Sequence, residues 1–372
     1  MKLVMFIGHF KTGSTSIQHF LASNWYRLVE QGVLYPSVES GAMARNMRLL
    51  FNRADEDLHG QNLNVIEPHN ALALKLKTEE DGHGVPSYYP KLPAAFQMFE
   101  AIEQQIAALQ PQTTVLCSEV FALLGMTKHR KSIRRLNARL GHHDTTIYCT
   151  LRRPDDYLSS WHRQRLKFGA KLKPLRAGGM GGYLETAHFQ QARMVRGWRE
   201  DGFQNAELVL RNFDDVRRNQ GSVHDFMTQT GVAFPQNVSL PDLRNPSVPS
   251  AFAEIGRLAL IELPRESGRR IVEWLISVRG MVPHAADRDV EVFGPLVREK
   301  LVRNFAPIAA DLRQMTGGRD FYPDIDELER LRPVNELDAA NEALPRLVLA
   351  SKVSSLSAEE KDWLGKLKLP EE

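Results

Sequence analysis

The sequence predicts an α/β protein: a central parallel β-sheet flanked by helices, followed by a helical carboxyl-terminal region. Short runs that are apolar on both faces alternate with helical patterns, as strands covered on both sides of a parallel sheet require. The first run leads at once into a glycine-bearing turn and a helix. From about Leu240 the strand-like runs stop and amphipathic helices take over.

The elements follow in order. Residues 3–7 (LVMFI) form the first strand, ending at Gly8. Residues 14–32 (STSIQHFLASNWYRLVEQG) set Ile17, Phe20, Leu21, Trp25 and Leu28 on one face of a helix closed by Gly32. A short second strand starts at Val33 in VLYP. Residues 52–93 are rich in His, Asn, Gly and Pro and lack periodicity, so they are expected to be an insertion lying over a site. A helix is expected over 93–109 and a strand over 113–119, TTVLCSE.

The next helix, in KHRKSIRRLNARLG, has Ile133, Leu136 and Leu140 on one face and Lys131, Arg134, Arg135 and Arg139 on the other. That basic face reads first as solvated, and second as a dock for an acidic polymer. TTIYCTLRRP is a strand ending at Arg152-Arg153-Pro154, with a helix over 155–168 behind it. Residues 169–183 combine basic residues with five glycines and read as a mobile surface loop. A helix over 186–200 and a strand in AELVLRNF complete the α/β part, which gives domains 1–240 and 241–372, the second packed on the first.

Of the 372 residues, 42% are hydrophobic and 25% charged, and the net charge is +3. That charge is too mild for a nucleic-acid binder and suits an enzyme handling anions. Cys117 and Cys149 each lie in an apolar run, so both are expected as buried free thiols in a reducing compartment. The apolar start is shorter than a secretory core of about 7–15 residues, and no run reaches the roughly 18 of a membrane span. A soluble, cytoplasmic protein is expected.

The chemistry concentrates in GHFKTGSTSIQ, residues 8–18. Against the phosphate-loop pattern G-x-x-x-x-G-K-[ST], Gly8, Gly13 and Thr15 match, but Ser14 stands where the lysine belongs and Lys11 carries the cation. A glycine turn opening a helix offers backbone N–H groups and the helix dipole to an anion. The hydroxyls of Ser14, Thr15 and Ser16 add donors. Without the lysine before Thr15, and without an Asp-terminated strand for magnesium, a Mg-ATP phosphotransferase is disfavoured.

The run Lys11-Thr12-Gly13-Ser14-Thr15 resembles the 5′-phosphosulfate loop of sulfotransferases that use 3′-phosphoadenosine 5′-phosphosulfate. LRRPDDYLSSW resembles the same family's 3′-phosphate site, an arginine at a strand end and a serine eight residues on, here Arg152 and Ser160. The neighbours Arg153 and Ser159 nearly duplicate them. The likeness covers roughly residues 1–235 and is nearest to bacterial members, with their lysine loop and a GVLYP-like strand.

The resemblance implies a P-loop NTPase-like sheet and transfer of a sulfuryl group to a hydroxyl or amine of an acceptor, a carbohydrate or glycolipid. Adenosine 3′,5′-bisphosphate would be the product, with no metal required. Residues 11–16 with Arg152 and Ser160 would hold the donor; Lys11 would stabilise the transferring group. Glu119, at the end of its strand, is the expected general base, with a cap or ion pair as its structural alternative. His9, inside the loop, is the second candidate for base or for steering the sulfuryl oxygens. His59, His69 and His83 are not separable, and no pair has metal-ligand spacing.

Acceptor binding is expected to fall to 52–93 and 169–185; Lys167, Lys171, Lys173 and Arg176 would favour an acidic or sulfatable sugar, with a solvated charge run as the equal alternative, and Tyr88 and Tyr89 could stack on a sugar or ring. Two readings compete: a kinase-like P-loop nucleotide-binding protein with a degenerate loop, and a non-catalytic nucleotide-binding scaffold. The acceptor and the oligomeric state stay open.

Overall fold

Five strands form the parallel sheet: β1 (Lys2–Phe6), β2 (Val33–Leu34), β3 (Thr113–Cys117), β4 (Asp144–Leu151) and β5 (Glu207–Asn212), in the order β2-β3-β1-β4-β5. This computed structural model describes residues 1–82, 84–86, 89, 91–126, 130–240 and 246–370. The core strands are buried on both faces, β3 at all five positions, which explains their continuous apolar runs. Connections leaving β1 and β3 run to opposite sides of the sheet, and the crevice they leave at the strand ends is where such sheets take ligands. Phe6 is level with both Cys117 and Tyr148, so residues 8–13, 118–119 and 152–153 emerge along one edge.

The expected helix over 14–32 is two helices, Ser14–Ser23 and Trp25–Glu30. Between them Asn24 is buried, donating to Phe20 O at 2.8 Å and Ser239 O at 2.9 Å and accepting from Ser239 N at 2.7 Å. An amide committed to three backbone groups breaks the helix that periodicity alone would continue.

The stretch 52–93 differs more. It contains helices Leu63–Ile66 and Pro68–Asp81, and a helix Ser40–Asn52 precedes it. Residues Pro68 to Ala73 are all buried, so the first half of that helix has no amphipathic stripe to read.

The chain divides into two compact units. The first comprises residues 1–153, 190–243 and 308–321 and contains the five-stranded sheet. The second comprises 154–189, 244–307 and 322–372, so it takes one segment from before the boundary expected at 240 and two from after it. It is built on helices Pro154–Lys167, Ser250–Glu262, Arg265–Ser277 and Glu336–Ser351. Strands do not stop entirely: β6 (Val290–Glu291) pairs in parallel with β7 (Val334–Asn335) in this unit.

Residues 169–183, expected as a mobile loop, form two short 3-10 turns, Leu175–Ala177 and Gly179–Gly182, with Leu175, Met180 and Tyr183 buried. Arg176 pairs there with Glu336 and, at 3.5 Å, with Glu254. In the first unit the basic face of helix Arg130–Leu140 is neutralised: Arg135 meets Glu79 at 2.9 Å, Arg134 meets Asp201 at 3.4 Å and Arg139 pairs with Glu103. A solvated, acid-paired face accounts for it. Both cysteines are buried free thiols, and no helix among the described residues is long and apolar enough to cross a membrane.

Candidate functional site

The loop leaves β1 where no side chain fits: a Cβ on Gly8 would stand 2.8 Å from the Phe6 ring and 2.9 Å from Thr150 N. His9 N then donates to Thr150 O at 3.0 Å, tying the turn to β4, and His9 itself is buried. Thr12 Oγ1 donates to His9 O at 2.5 Å. Lys11 and Gly13 both take left-handed backbone, with φ of 60° and 90°.

Gly13 opens helix Ser14–Ser23, whose first amides have no capping side chain. Ser16 N and Ile17 N return to Gly13 O, and the amides before them are the ones a helix leaves for an anion. The dipole adds to this attraction.

A second helix holds the turn from behind. Ser222, the first residue of helix Ser222–Gln229, donates to Thr12 O at 3.1 Å. Asp225 anchors that helix, accepting from Arg211 at 2.7 and 3.0 Å, Tyr148 Oη at 2.5 Å and Asn219 Nδ2 at 2.8 Å. Burial works against its charge, but these hydrogen bonds prevail and hold its carboxyl below the usual range.

Glu119 lies two residues beyond β3 and joins the loop. It accepts from the Ser14 hydroxyl, from Gln18 Nε2 at 3.1 Å and from Asn70 Nδ2 at 3.3 Å. Asn70 Nδ2 also donates to Glu67 Oε2 at 2.8 Å, while its Oδ1 accepts from Ser118 Oγ at 2.6 Å and Gln18 Nε2 at 3.0 Å. Ser118 Oγ accepts from Val120 N at 3.0 Å, so its hydrogen is available to Asn70 and the amide's orientation is fixed. Burial raises the Glu119 carboxyl against the pull of these donors. Burial and the charge of Glu119 push Glu67 up to about 7, against hydrogen bonds from Asn70 and Tyr89.

The sequence-derived candidates divide accordingly. Lys11, Thr12, Gly13, Ser14, Thr15, Ser16, His9 and Glu119 meet in the first unit. Ser14, expected to face a phosphate, is turned to Glu119. Arg152 is half-buried just past β4, its guanidinium 5.3 Å from the Phe213 ring centre and its carbonyl bonded by Gln191 Nε2 at 2.8 Å. Arg153 is more deeply buried. Ser160 is buried on helix Pro154–Lys167, in the second unit.

His69 is a structural residue: its Nδ1 accepts from Cys117 N at 3.2 Å, and burial lowers its pKa to about 3. His59 is exposed, while His83 and Tyr88 lie outside the described residues. Tyr89 Oη donates to Glu67 at 3.4 Å. Arg176, assigned to the acceptor, is taken up by its two glutamates. Lys171 and Lys173 remain exposed.

Sequence reasoning missed Gln18, Glu67 and Asn70. Gln18 carried a signal, as a polar residue at an inward position beside Ile17 and Leu21. Glu67-Pro68 was a helix start in plain view, with proline at the first helical position. Among the described residues no group of three or more His, Cys, Asp or Glu side chains is placed to hold a metal ion.

No family model matches the chain, and no curated protein does. Among solved structures, it is similar to the crystal structure of a sulfotransferase from Alicyclobacillus acidocaldarius at 12% identity and a TM-score of 0.40, over 88% of this chain and 98% of that one.

Proposed function

We propose that this chain is a sulfotransferase taking its sulfuryl group from 3′-phosphoadenosine 5′-phosphosulfate. One observation carries the reading: an uncapped helix start, entered through a lysine in left-handed backbone, is hydrogen-bonded through Ser14 to a carboxyl whose pKa is raised. An anion seat beside a basic carboxylate is what transfer of an anionic group to a protic nucleophile needs.

In this reading the amides opening helix Ser14–Ser23, with Lys11, Thr15 and Ser16, hold the 5′-phosphosulfate, while Thr12, its hydroxyl given to His9 O, contributes through its backbone. Lys11 offsets charge growing on the bridging oxygen. Arg152 takes the 3′-phosphate through a two-pronged contact; its pairing with Ser160 rests on their spacing in the sequence and on the family likeness.

The acceptor oxygen or nitrogen bonds to sulfur as the bond from sulfur to the 5′-phosphate oxygen breaks. That electron pair leaves with adenosine 3′,5′-bisphosphate, and the acceptor proton goes to Glu119. His9 is the alternative proton acceptor. Phosphate is already a good leaving group, so the scheme requires no metal. The acceptor class is a carbohydrate or glycolipid, and the compartment is the cytoplasm.

Calorimetric titration with adenosine 3′,5′-bisphosphate and, separately, with Mg-ATP tests the donor. Binding of the bisphosphate is expected; binding of Mg-ATP alone would transfer the chain to the kinase-like reading. Transfer of labelled sulfur to a panel of sugars, glycolipids and phenols tests the chemistry. Bisphosphate binding with no labelled product would leave a scaffold.

A further inference from the structure

We propose that Glu67 is a second carboxyl of this site, and that Glu67 and Glu119, held together by the Asn70 amide, share one proton whose presence keeps Glu119 usable as a base at neutral pH. The proposal rests on Glu119 being the base, and it adds a residue that the sequence did not single out.

The geometry is a bridge. One amide nitrogen, with two hydrogens, donates to Glu67 Oε2 at 2.8 Å and to Glu119 Oε1 at 3.3 Å. Both lone-pair directions of the same amide's oxygen are used, by Ser118 and Gln18. Asn70 therefore has no freedom to turn and hold only one carboxyl. It fixes the pair and carries no proton, because an amide N–H is no acid at these pH values.

Two carboxyls in one half-buried site resist double ionisation, since each charge raises the other's affinity for a proton. The directions agree: burial raises both, and Glu119 raises Glu67. Against this, the Tyr89 hydroxyl lowers Glu67 without prevailing over burial and the Glu119 charge. Tyr35, Tyr89 and Cys117 act on it from neighbouring segments, and for Tyr35 and Cys117 burial with the two glutamate charges pushes the pKa up, which keeps them neutral. His69, the neighbour of Asn70 in the chain, is held neutral by burial.

A separate observation points to a hydrogen-bearing ligand. Gln18 is fully buried, its Nε2 faces three acceptors, and its Oε1 has no donor among the described residues. Turning the amide over would set its oxygen against Asn70 Oδ1 and Cys117 O, both acceptors, so the open position belongs to the carbonyl. That carbonyl is a buried acceptor on the residue that also donates to Glu119, so a hydrogen reaching it would enter the same network.

With Glu67 protonated, Glu119 is ionised and ready. When the acceptor delivers its proton, the pair holds two and must release one to water before the next turnover. Above the range in which Glu67 keeps its proton, both carboxylates are charged and repel an anionic donor.

Carbon-13 NMR of the full chain labelled at glutamate carboxyls tests this without donor or acceptor. Expected is a Glu67 signal titrating near neutrality that moves to lower pH in Glu119→Gln, and a Glu119 signal that shows a second step in that same range, lost in Glu67→Gln. If either variant fails to fold, judged by near-ultraviolet circular dichroism, the reciprocal one decides. A Glu67 titration unmoved by Glu119→Gln, or a Glu119 signal with no second step for Glu67→Gln to remove, overturns the proposal. Binding of adenosine 3′,5′-bisphosphate is read separately: coupled titrations without binding would sink the sulfotransferase reading and leave the proton pair standing, and binding with uncoupled titrations would do the reverse.

Discussion

Replacing Gly13 by alanine should damage the anion loop in a way that a second substitution partly repairs. An alanine at φ 90° costs about 1–2 kcal/mol from backbone strain alone. Its Cβ would also lie 1.8 Å from Ser222 Oγ and 2.5 Å from Ser222 Cβ, while the next atom, Ser222 Cα, is 3.9 Å away. All of the clash is therefore with one side chain. Moving it loses the hydrogen bond to Thr12 O, about 0.5–1.5 kcal/mol, and shifts the start of a helix that Asp225 anchors, about 1–3 kcal/mol by analogy with overpacking. Gly13→Ala should thus destabilise the chain by about 3–6 kcal/mol. Ser222→Gly removes both clashing atoms, so the double variant should be more stable than Gly13→Ala alone, with a coupling of about 1–3 kcal/mol. Urea unfolding followed by circular dichroism, with slopes compared across all four proteins, measures this. Strictly additive effects, or a neutral Gly13→Ala, would show that Gly13 does not back onto Ser222 in a left-handed turn.

Other expected outcomes follow from the assigned roles. Lys11→Ala should lower sulfuryl turnover by orders of magnitude with little change in bisphosphate affinity, measured by label transfer and calorimetry; loss of binding alone would make Lys11 a ground-state contact. Arg152→Ala should weaken the bisphosphate by about 2–5 kcal/mol if its charge pairs with a desolvated phosphate, and unchanged affinity would pass the role to Arg153. Glu119→Gln should keep nucleotide binding and abolish turnover; retained turnover would move the base to His9. His69, lowered to about 3 in the fold from an ordinary 6.5, gives stability that is complete above 6.5 and is lost as pH falls toward 3. The slope there reaches about 1.4 kcal/mol per pH unit. His69→Gln keeps an acceptor for Cys117 N and should flatten that acid limb in pH-dependent urea unfolding; an unchanged limb would assign it to other groups.

The sheet was legible because its central strands β1 and β3 are buried along nearly their whole length, which makes their sequences close to continuously apolar. The turn at 8–13 was legible for a related reason: Gly8 and Gly13 each stand where a Cβ has no room. Helix Pro68–Asp81 was not, since its first six residues are all buried, and a half-helix covered on every face has no polar side to contrast with an apolar one. That same burial hid Asn70 and left the carboxyl network unread. Glu119 was found from its place at a strand end, but its partners come from residues 18, 67 and 70, and spacing along a chain says nothing about such a meeting. Charge misled in the segment 169–183, where Arg176 looked available and is held by Glu254 and Glu336.

Hydrogen counting ties the two halves of the site together. A serine hydroxyl has one hydrogen to give, and that of Ser14 goes to Glu119. While it does, Ser14 cannot also donate to an anion seated on the loop, and the amides, Lys11, Thr15 and Ser16 must hold the anion without it. If the anion instead draws that hydrogen away, Glu119 loses a donor that lowers its pKa and becomes the stronger base. Occupancy of the loop and basicity of the carboxyl then rise together, so under the proposed function Glu119 would gain strength as a base when the donor is bound. A lysine at position 14, as the ordinary phosphate loop has, would place a fixed charge where this exchange takes place, and the carboxyl would stay ionised and weakly basic whether or not the loop were filled.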